Sequence, residues 1–393
     1  MGSPLERRAA RWRHLQQENL LRSLTEVINK VPEGINLGQG VCDLDTPGPL
    51  QVGSVASIQG GDRQTYTHYT GLPELKAAIA AKLRTFNGLD YGADQILVAT
   101  GSSGAFFAAA TALLDPGDEV VLFEPFYSYH HTALRVLGVQ PVCVPLRGAA
   151  FDFDPEALRA ALTPRTRAVM VNTPANPSGK VFTPADLDAL AAVLADTDVM
   201  VFTDEVYEYM CFDGRRHVSP ATVPALADRT LTFGGFSKTF SITGWRIGYL
   251  AGPADVVDAA GRVFDQMNVC APRPLQRGVQ QALTELPASF YTELQAGYER
   301  KRDRFCAALA NGGFRFSPPQ GAYYVMADYR EVLGDLEAYP AVLQLIERVG
   351  INGVPGSIFY EDGASVRTIR FQFAVTPEVL DDVCRRLESL GAG

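Results

Sequence analysis

Between Gln95 and Gly252 short apolar runs alternate with stretches of helical period, and this alternation narrows the possible folds to a layered α/β sheet. Gln95–Thr100, Glu119–Phe123, Gln140–Val144, Arg167–Asn172, Val199–Thr203, Thr230–Phe233 and Ile247–Ala251 read as strands. Ala105–Leu114, Ser128–Leu137, Pro155–Leu162 and Pro184–Leu194 read as the helices between the earlier ones. Strands that are apolar without alternation are covered on both faces, which implies a mainly parallel, seven-stranded sheet. Ligands of such sheets bind beyond the carboxyl ends of the strands.

Near Pro287 the pattern changes to a long charged helix, about Ser289–Ala310, and then to an α+β tail ending in the strand Val366–Ala374 and the helix Pro377–Leu390. Three parts are expected: an N-terminal segment (1–45) that contributes to a small domain, a large domain (46–285), and a small C-terminal domain (286–393). A chain of 393 residues, 47% apolar, is long enough for two such lobes. Its net charge of −9 disfavours nucleic acid or an acidic membrane as the general partner. Arg300-Lys301-Arg302, set among Glu293, Glu299 and Asp303, reads as a solvated helix face. Six scattered cysteines without a CxxC pair suit reduced core thiols in a cytoplasmic protein. His130-His131 lacks the spacing of a zinc site, so no metal is expected. No apolar run is long enough to cross a membrane.

The segment Ser237-Lys238-Thr239-Phe240-Ser241-Ile242-Thr243-Gly244-Trp245-Arg246 carries chemistry. A lysine that forms an imine needs a pocket where it sheds its proton, and a bound phosphate needs a fixed guanidinium. Lys238 and Arg246 could supply both, although a lone lysine is ordinarily a surface charge.

Four other clusters have two readings each. Thr100-Gly101-Ser102-Ser103-Gly104-Ala105 joins a strand to a helix; it is a local turn or an anion cradle of free amides and hydroxyls. Asn172-Thr173-Pro174-Ala175-Asn176-Pro177-Ser178-Gly179 is a proline-rich turn or a binding loop. Asp204, in Thr203-Asp204-Glu205-Val206-Tyr207, is a helix cap or a carboxylate pairing with a pyridine nitrogen. Arg370, on the same strand face as Thr368 and Gln372, is a surface charge or a bidentate carboxylate clamp.

Taken in order, GSSGA, NTPANPSG, TDEVY, SKTFSITGWRIGY and a late RFQF closely resemble the class I/II aminotransferases of pyridoxal-phosphate fold type I. The upstream pieces LGQG (37–40), YTHYTGLPEL (66–75) and EPFY (124–127) belong to the same layout. The resemblance implies pyridoxal 5'-phosphate as cofactor, with Lys238 bonded to its aldehyde. It implies Asp204 on the pyridine nitrogen, Tyr207 and Asn176 on the ring oxygen, and Tyr127 stacked on the ring. Gly101, Ser102, Ser103 and Arg246 would hold the phosphate, while Arg370, Asn176 and Gly40 would receive the substrate. Tyr66 would reach the phosphate of a neighbouring subunit, implying a homodimer with shared sites. Many relatives have a serine where this chain has Gly235, and Ser237 is the candidate replacement.

The resemblance implies transfer of an amino group from an L-amino acid to a 2-oxo acid in a ping-pong cycle. Leu37-Gly38-Gln39-Gly40 and Pro355-Gly356-Ser357-Ile358-Phe359-Tyr360 look most like the kynurenine, glutamine and methionine aminotransferase branch, which implies an aromatic, sulfur-containing or glutamine-like donor. Gln266 stands about where dicarboxylate-specific relatives bring a second arginine, with Arg262 and Arg273 close by. Two rivals stand beside this reading: a cysteine S-conjugate β-lyase on the same fold, and a regulatory protein that binds the cofactor as a sensor. The second is disfavoured because only about 30 residues precede the fold, few for an additional domain.

Overall fold

The computed structural model describes residues 19–42 and 44–392. Its main sheet has seven strands: β2 (Ile96–Ala99), β3 (Glu119–Glu124), β4 (Gln140–Pro145), β5 (Thr166–Asn172), β6 (Met200–Asp204), β7 (Thr230–Gly235) and β8 (Gly248–Ala251). Their spatial order is β2-β8-β7-β6-β5-β3-β4. All neighbouring pairs are parallel except those of β8, which runs antiparallel to both β2 and β7.

Period-two geometry sends alternate residues of each strand into two separate cores. Val120, Leu122, Ala168, Met170 and Phe202 pack against the helices Gly101–Leu113 and Ala254–Asn268. Val121, Val169, Val171 and Val201 pack against Pro155–Ala161 and Pro184–Leu194 on the other face. Each valine, leucine, methionine or phenylalanine among them contributes about 1.5–3 kcal/mol when fully buried. Apolar runs without alternation are therefore the pattern that a sheet with two covered faces requires.

Local chemistry starts the helices where the sequence suggests. Asp154 accepts from the amides of Glu156 and Ala157, and Pro155 follows at the first helical position. Thr183 and Asp186 form a reciprocal capping box before Leu187 and Leu190 enter the core. One start differs from expectation: the helix after β2 begins at Gly101, not Ala105. The serine-rich segment is the helix's first turn, so its amides lack intrahelical acceptors.

A second body of structure surrounds a three-stranded antiparallel sheet of β9 (Tyr324–Asp328), β11 (Val354–Pro355) and β12 (Thr368–Gln372), ordered β11-β12-β9. The short β1 (Ile35–Asn36) pairs in parallel with β10 (Ile351–Asn352) and ties the N-terminal segment to this part. The shared core includes Leu24, Ile28 and Leu37 together with Phe305, Tyr323, Phe371 and Val383. The helix Ala288–Asn311 covers it. Arg302 on that helix departs from the solvated face expected of its basic run: it is buried and forks onto both carboxylate oxygens of Asp213, at 2.7 and 2.8 Å. Charge order along a helix does not show which residue meets a distant loop.

Candidate active site

The carboxyl ends of β5, β6 and β7 deliver Asn172, Asp204 and Gly235 to one wall of a cavity of about 550 Å³. The small sheet supplies Tyr324 and Arg370 opposite, and the N-terminal segment adds Gly38, Gln39 and Gly40. Of the residues expected at the site, Gly40, Ser102, Ser103, Tyr127, Asn176, Asp204, Tyr207, Ser237, Lys238, Arg246 and Arg370 all line this space. Gly101 sits just behind it. Tyr66 does not line its own chain's cavity and is 78% exposed.

At one end the first helical turn presents the Ser102 and Ser103 hydroxyls beside the exposed Arg246. The Arg246 guanidinium donates to the Thr243 carbonyl at 3.0 Å and lies 3.5 Å from the Ser237 hydroxyl. It has no carboxylate partner among the described residues. Gly101 is required twice over: its φ is +77°, and an added Cβ would lie 2.4 Å from Arg246 Nη2. Arg246 itself holds φ at +57°, an uncommon conformation for a side-chain-bearing residue. A free-amide helix start, two hydroxyls and an unpaired guanidinium make an anion cradle.

In the middle, Lys238 Nζ donates to the Gly40 carbonyl at 2.6 Å. Asp204 lies deeper and is buried. Its Oδ1 accepts from the Val206 amide at 3.3 Å, and its Oδ2 lies 3.0 Å from His130 Nε2. The helix-cap reading of Asp204 fails, because a turn and not a helix follows it: one oxygen serves that turn, and the residue lines the cavity. The Tyr207 hydroxyl lies 3.0 Å from that of Tyr324. Burial, reinforced by Tyr324, holds the Tyr207 hydroxyl neutral well above the usual tyrosine range. Burial also pushes up Tyr127, whose ring stacks on Tyr129 with centroids 5.3 Å apart.

At the other end Arg370 is 5% exposed. Nη1 donates to Asn176 Oδ1 at 2.9 Å and Nη2 to the Gly38 carbonyl, while Nε is buried without a partner. No carboxylate pairs with it among the described residues. A buried guanidinium held only by neutral acceptors calls for an anionic ligand.

His130, Tyr323 and Tyr324 escaped the sequence reading. His130 stands three residues after Tyr127, a spacing visible in the sequence, but nothing local ties it to Asp204. Tyr323 and Tyr324 carry no local signal, because their roles arise from β9 lying beside β12.

The sequence profile of aminotransferase class I and II matches residues 32–387. The chain is 35% identical over 368 residues to a probable N-succinyldiaminopimelate aminotransferase of Mycobacterium tuberculosis, covering 91% of this chain and 92% of the relative. It is 30% identical to kynurenine–oxoglutarate transaminase 1 of Mus musculus, covering 92% of each. Among solved structures, YbdL of Escherichia coli, with a methionine aminotransferase function, superposes with a TM-score of 0.92 at 31% identity, covering 98% of this chain and all of that one. The chain belongs to the class I and II aminotransferases, enzymes of fold type I that use pyridoxal phosphate. It is a pyridoxal-phosphate-dependent aminotransferase, acting on an amino acid and a 2-oxo acid.

Proposed function

We propose that this aminotransferase takes an aromatic or sulfur-containing L-amino acid as donor, and that the residues gathered in the cavity carry the reaction. The observation that carries the site assignment is Arg370: a buried cation without an anionic partner among the described residues, facing a lysine across one cavity. The groups present suit pyridoxal phosphate. The Ser102–Ser103 turn with Arg246 suits its phosphate, and Asp204 suits its ring nitrogen. The cavity lies within the ~300–1,000 Å³ typical of small-molecule sites.

Bound pyridoxal phosphate would supply the aldehyde that takes up the amino group and the ring that draws electron density from the substrate's Cα. Arg370 grips the substrate α-carboxylate with Asn176 beside it. Asp204 favours a proton on the pyridine nitrogen by charge pairing, and His130 orients that carboxylate. Tyr207 would donate to the phenolic oxygen. Lys238 Nζ would bond to the cofactor's aldehyde at rest and, when free, would hold and move the substrate's Cα proton as general acid–base.

Tyr129, Tyr324 and Phe359 line the cavity and favour an aromatic or apolar donor. Arg262 is paired with Asp258, and Arg273 is bonded to the Thr65 and Tyr66 carbonyls, which supports a donor without a second carboxylate. Val52, Val55 and Ile58 are exposed on one helix, as are Tyr66 and Met267 elsewhere, and a second copy of the chain would cover them. A homodimer then brings the partner subunit's Tyr66 to the phosphate. We also propose the division 1–45, 46–285 and 286–393, which puts the seven-stranded sheet in the middle part and the three-stranded sheet in the last.

The test is absorbance titration of the cofactor-loaded protein with single amino acids. Aromatic or sulfur-containing donors should discharge the visible band, and an added 2-oxo acid should restore it. Pyruvate and ammonia from a cysteine conjugate, with no new amino acid formed, would favour the lyase instead. Lys238→Ala should fold yet lose turnover; wild-type turnover in that variant sinks the assignment.

A further inference from the structure

The geometry points to Tyr324 as a relay that reports carboxylate docking at Arg370 to Tyr207, and through it to the nitrogen of Lys238. This rests on the roles proposed above for those residues. Tyr324 is 2% exposed, and its ring lies under the Arg370 guanidinium, 4.4 Å from Cζ to the centroid. The register of β9 and β12 pairs Tyr324 with Gln372 and Met326 with Arg370. Tyr324 and Arg370 are therefore diagonal neighbours, close enough for long side chains to meet. At its far end the Tyr324 hydroxyl lies 3.0 Å from that of Tyr207. An added Cβ at Gly40 would lie 2.0 Å from the Tyr324 oxygen, so this glycine leaves the room in which the hydroxyl sits.

Proton counting sets the direction of the bond. Each hydroxyl has one hydrogen, and Tyr207 commits its own to the cofactor's phenolic oxygen. The hydrogen between the two tyrosines therefore belongs to Tyr324, which donates, and Tyr207 accepts. A donor made to accept becomes a stronger donor. A cation over the ring face draws electron density from Tyr324 and strengthens its donation further. Once a substrate carboxylate neutralises Arg370, that pull weakens and Tyr207 donates less well. The phenolic oxygen then competes more strongly for the proton it shares with the Lys238 nitrogen, which holds that proton to higher pH.

Asn176 accepts from Arg370 Nη1 at 2.9 Å and offers a second path to the phenolic oxygen, so Tyr324 carries part of the effect. Asp204 faces Tyr207, whereas Tyr127 neighbours Tyr207, Tyr324 and Arg370 alike. Tyr323 packs against both rings, with centroids 5.2 and 4.6 Å away, but its hydroxyl donates to the Gly40 carbonyl at 3.0 Å.

The experiment is a pH titration of the visible absorbance of the cofactor-loaded protein, with and without 3-phenylpropanoate, a carboxylate lacking an amino group. In the wild type, saturating carboxylate should raise the midpoint by about 0.5–1 pH unit, a three- to tenfold change in proton affinity. Tyr324→Phe keeps the ring under Arg370 but removes the hydroxyl. It should raise the midpoint of the free protein by a few tenths of a unit and shrink the carboxylate-induced rise by about half. In a Tyr207→Phe background, Tyr324→Phe should move nothing further. Equal carboxylate-induced shifts in wild type and Tyr324→Phe overturn the relay while leaving the proposed site intact. A protein that takes up no chromophore overturns both.

Discussion

His130 Nε2 lies 3.0 Å from Asp204 Oδ2, with both side chains buried. The histidine ring is held from two sides, with its centroid 4.8 Å from Phe106 and 5.1 Å from Tyr127. This contact ties the residue assigned to the ring nitrogen to the helix that begins just after Tyr127. It explains how a carboxylate at a strand end keeps one orientation.

His130→Phe preserves the packing and deletes the hydrogen bond. A buried carboxylate that loses a partner costs about 1–3 kcal/mol. The variant should unfold at lower denaturant than the wild type and retain cofactor less well on dialysis. An unchanged unfolding midpoint would show that Asp204 does not depend on the imidazole.

Gly235 offers a gain of function. An added Cβ there would have Val206 Cγ1 at 3.5 Å as its nearest neighbour, then Ser102 Cβ at 3.8 Å and Ser102 N at 3.9 Å, all ordinary contacts. Gly235→Ser therefore fits and puts a hydroxyl at the phosphate end. One added hydrogen bond of about 1 kcal/mol should slow loss of pyridoxal phosphate about fivefold. A dissociation rate equal to wild type would indicate that Ser237 already supplies that contact.

Lys82 and Glu208 form a buried ion pair, with Asn87 donating to the second Glu208 oxygen at 2.9 Å and Tyr249 within 3.3 Å of the ammonium. Breaking such a pair leaves an uncompensated charge, at about 3–5 kcal/mol. Lys82→Met should lower stability by that order in urea unfolding. The double variant Lys82→Met/Glu208→Leu should recover much of the loss. If the single variant were as stable as the wild type, the pair would be dispensable.

Alkali should destabilise the fold through its buried tyrosines. Burial raises Tyr127, Tyr207 and Tyr323 above the ordinary value of 10.0. Above about pH 10 the unfolded chain releases protons that the folded chain keeps, so stability falls as pH rises. The slope is about 1.4 kcal/mol per pH unit for each such tyrosine. Urea midpoints measured from pH 9 to 11 should drop steeply past 10, and a flat profile would contradict the burial.

Legibility of the site followed the reach of each contact. Lys238, Asp204, Asn176 and Ser102 sit at strand ends and turns whose residue types are locally unusual, so chain order exposes them. Arg302 shows the opposite case: its basic neighbours suggested solvent, while its partner Asp213 lies in a distant loop. Tyr324 is similar, since an aromatic in a strand is ordinarily core, and only its neighbours on β12 and Tyr207 give the hydroxyl a task.

The amino-acid order by itself determined the layered sheet, the capped helix starts at Pro155 and Pro184 and the family, because hydrophobic period, caps and motif order are local properties of the chain. Only the tertiary structure decided that Arg370 is a buried cation with no carboxylate beside it, that His130 serves Asp204 and that Tyr324 touches both Tyr207 and Arg370. Those facts depend on strands and helices far apart in sequence being packed within hydrogen-bonding distance, which no local pattern encodes.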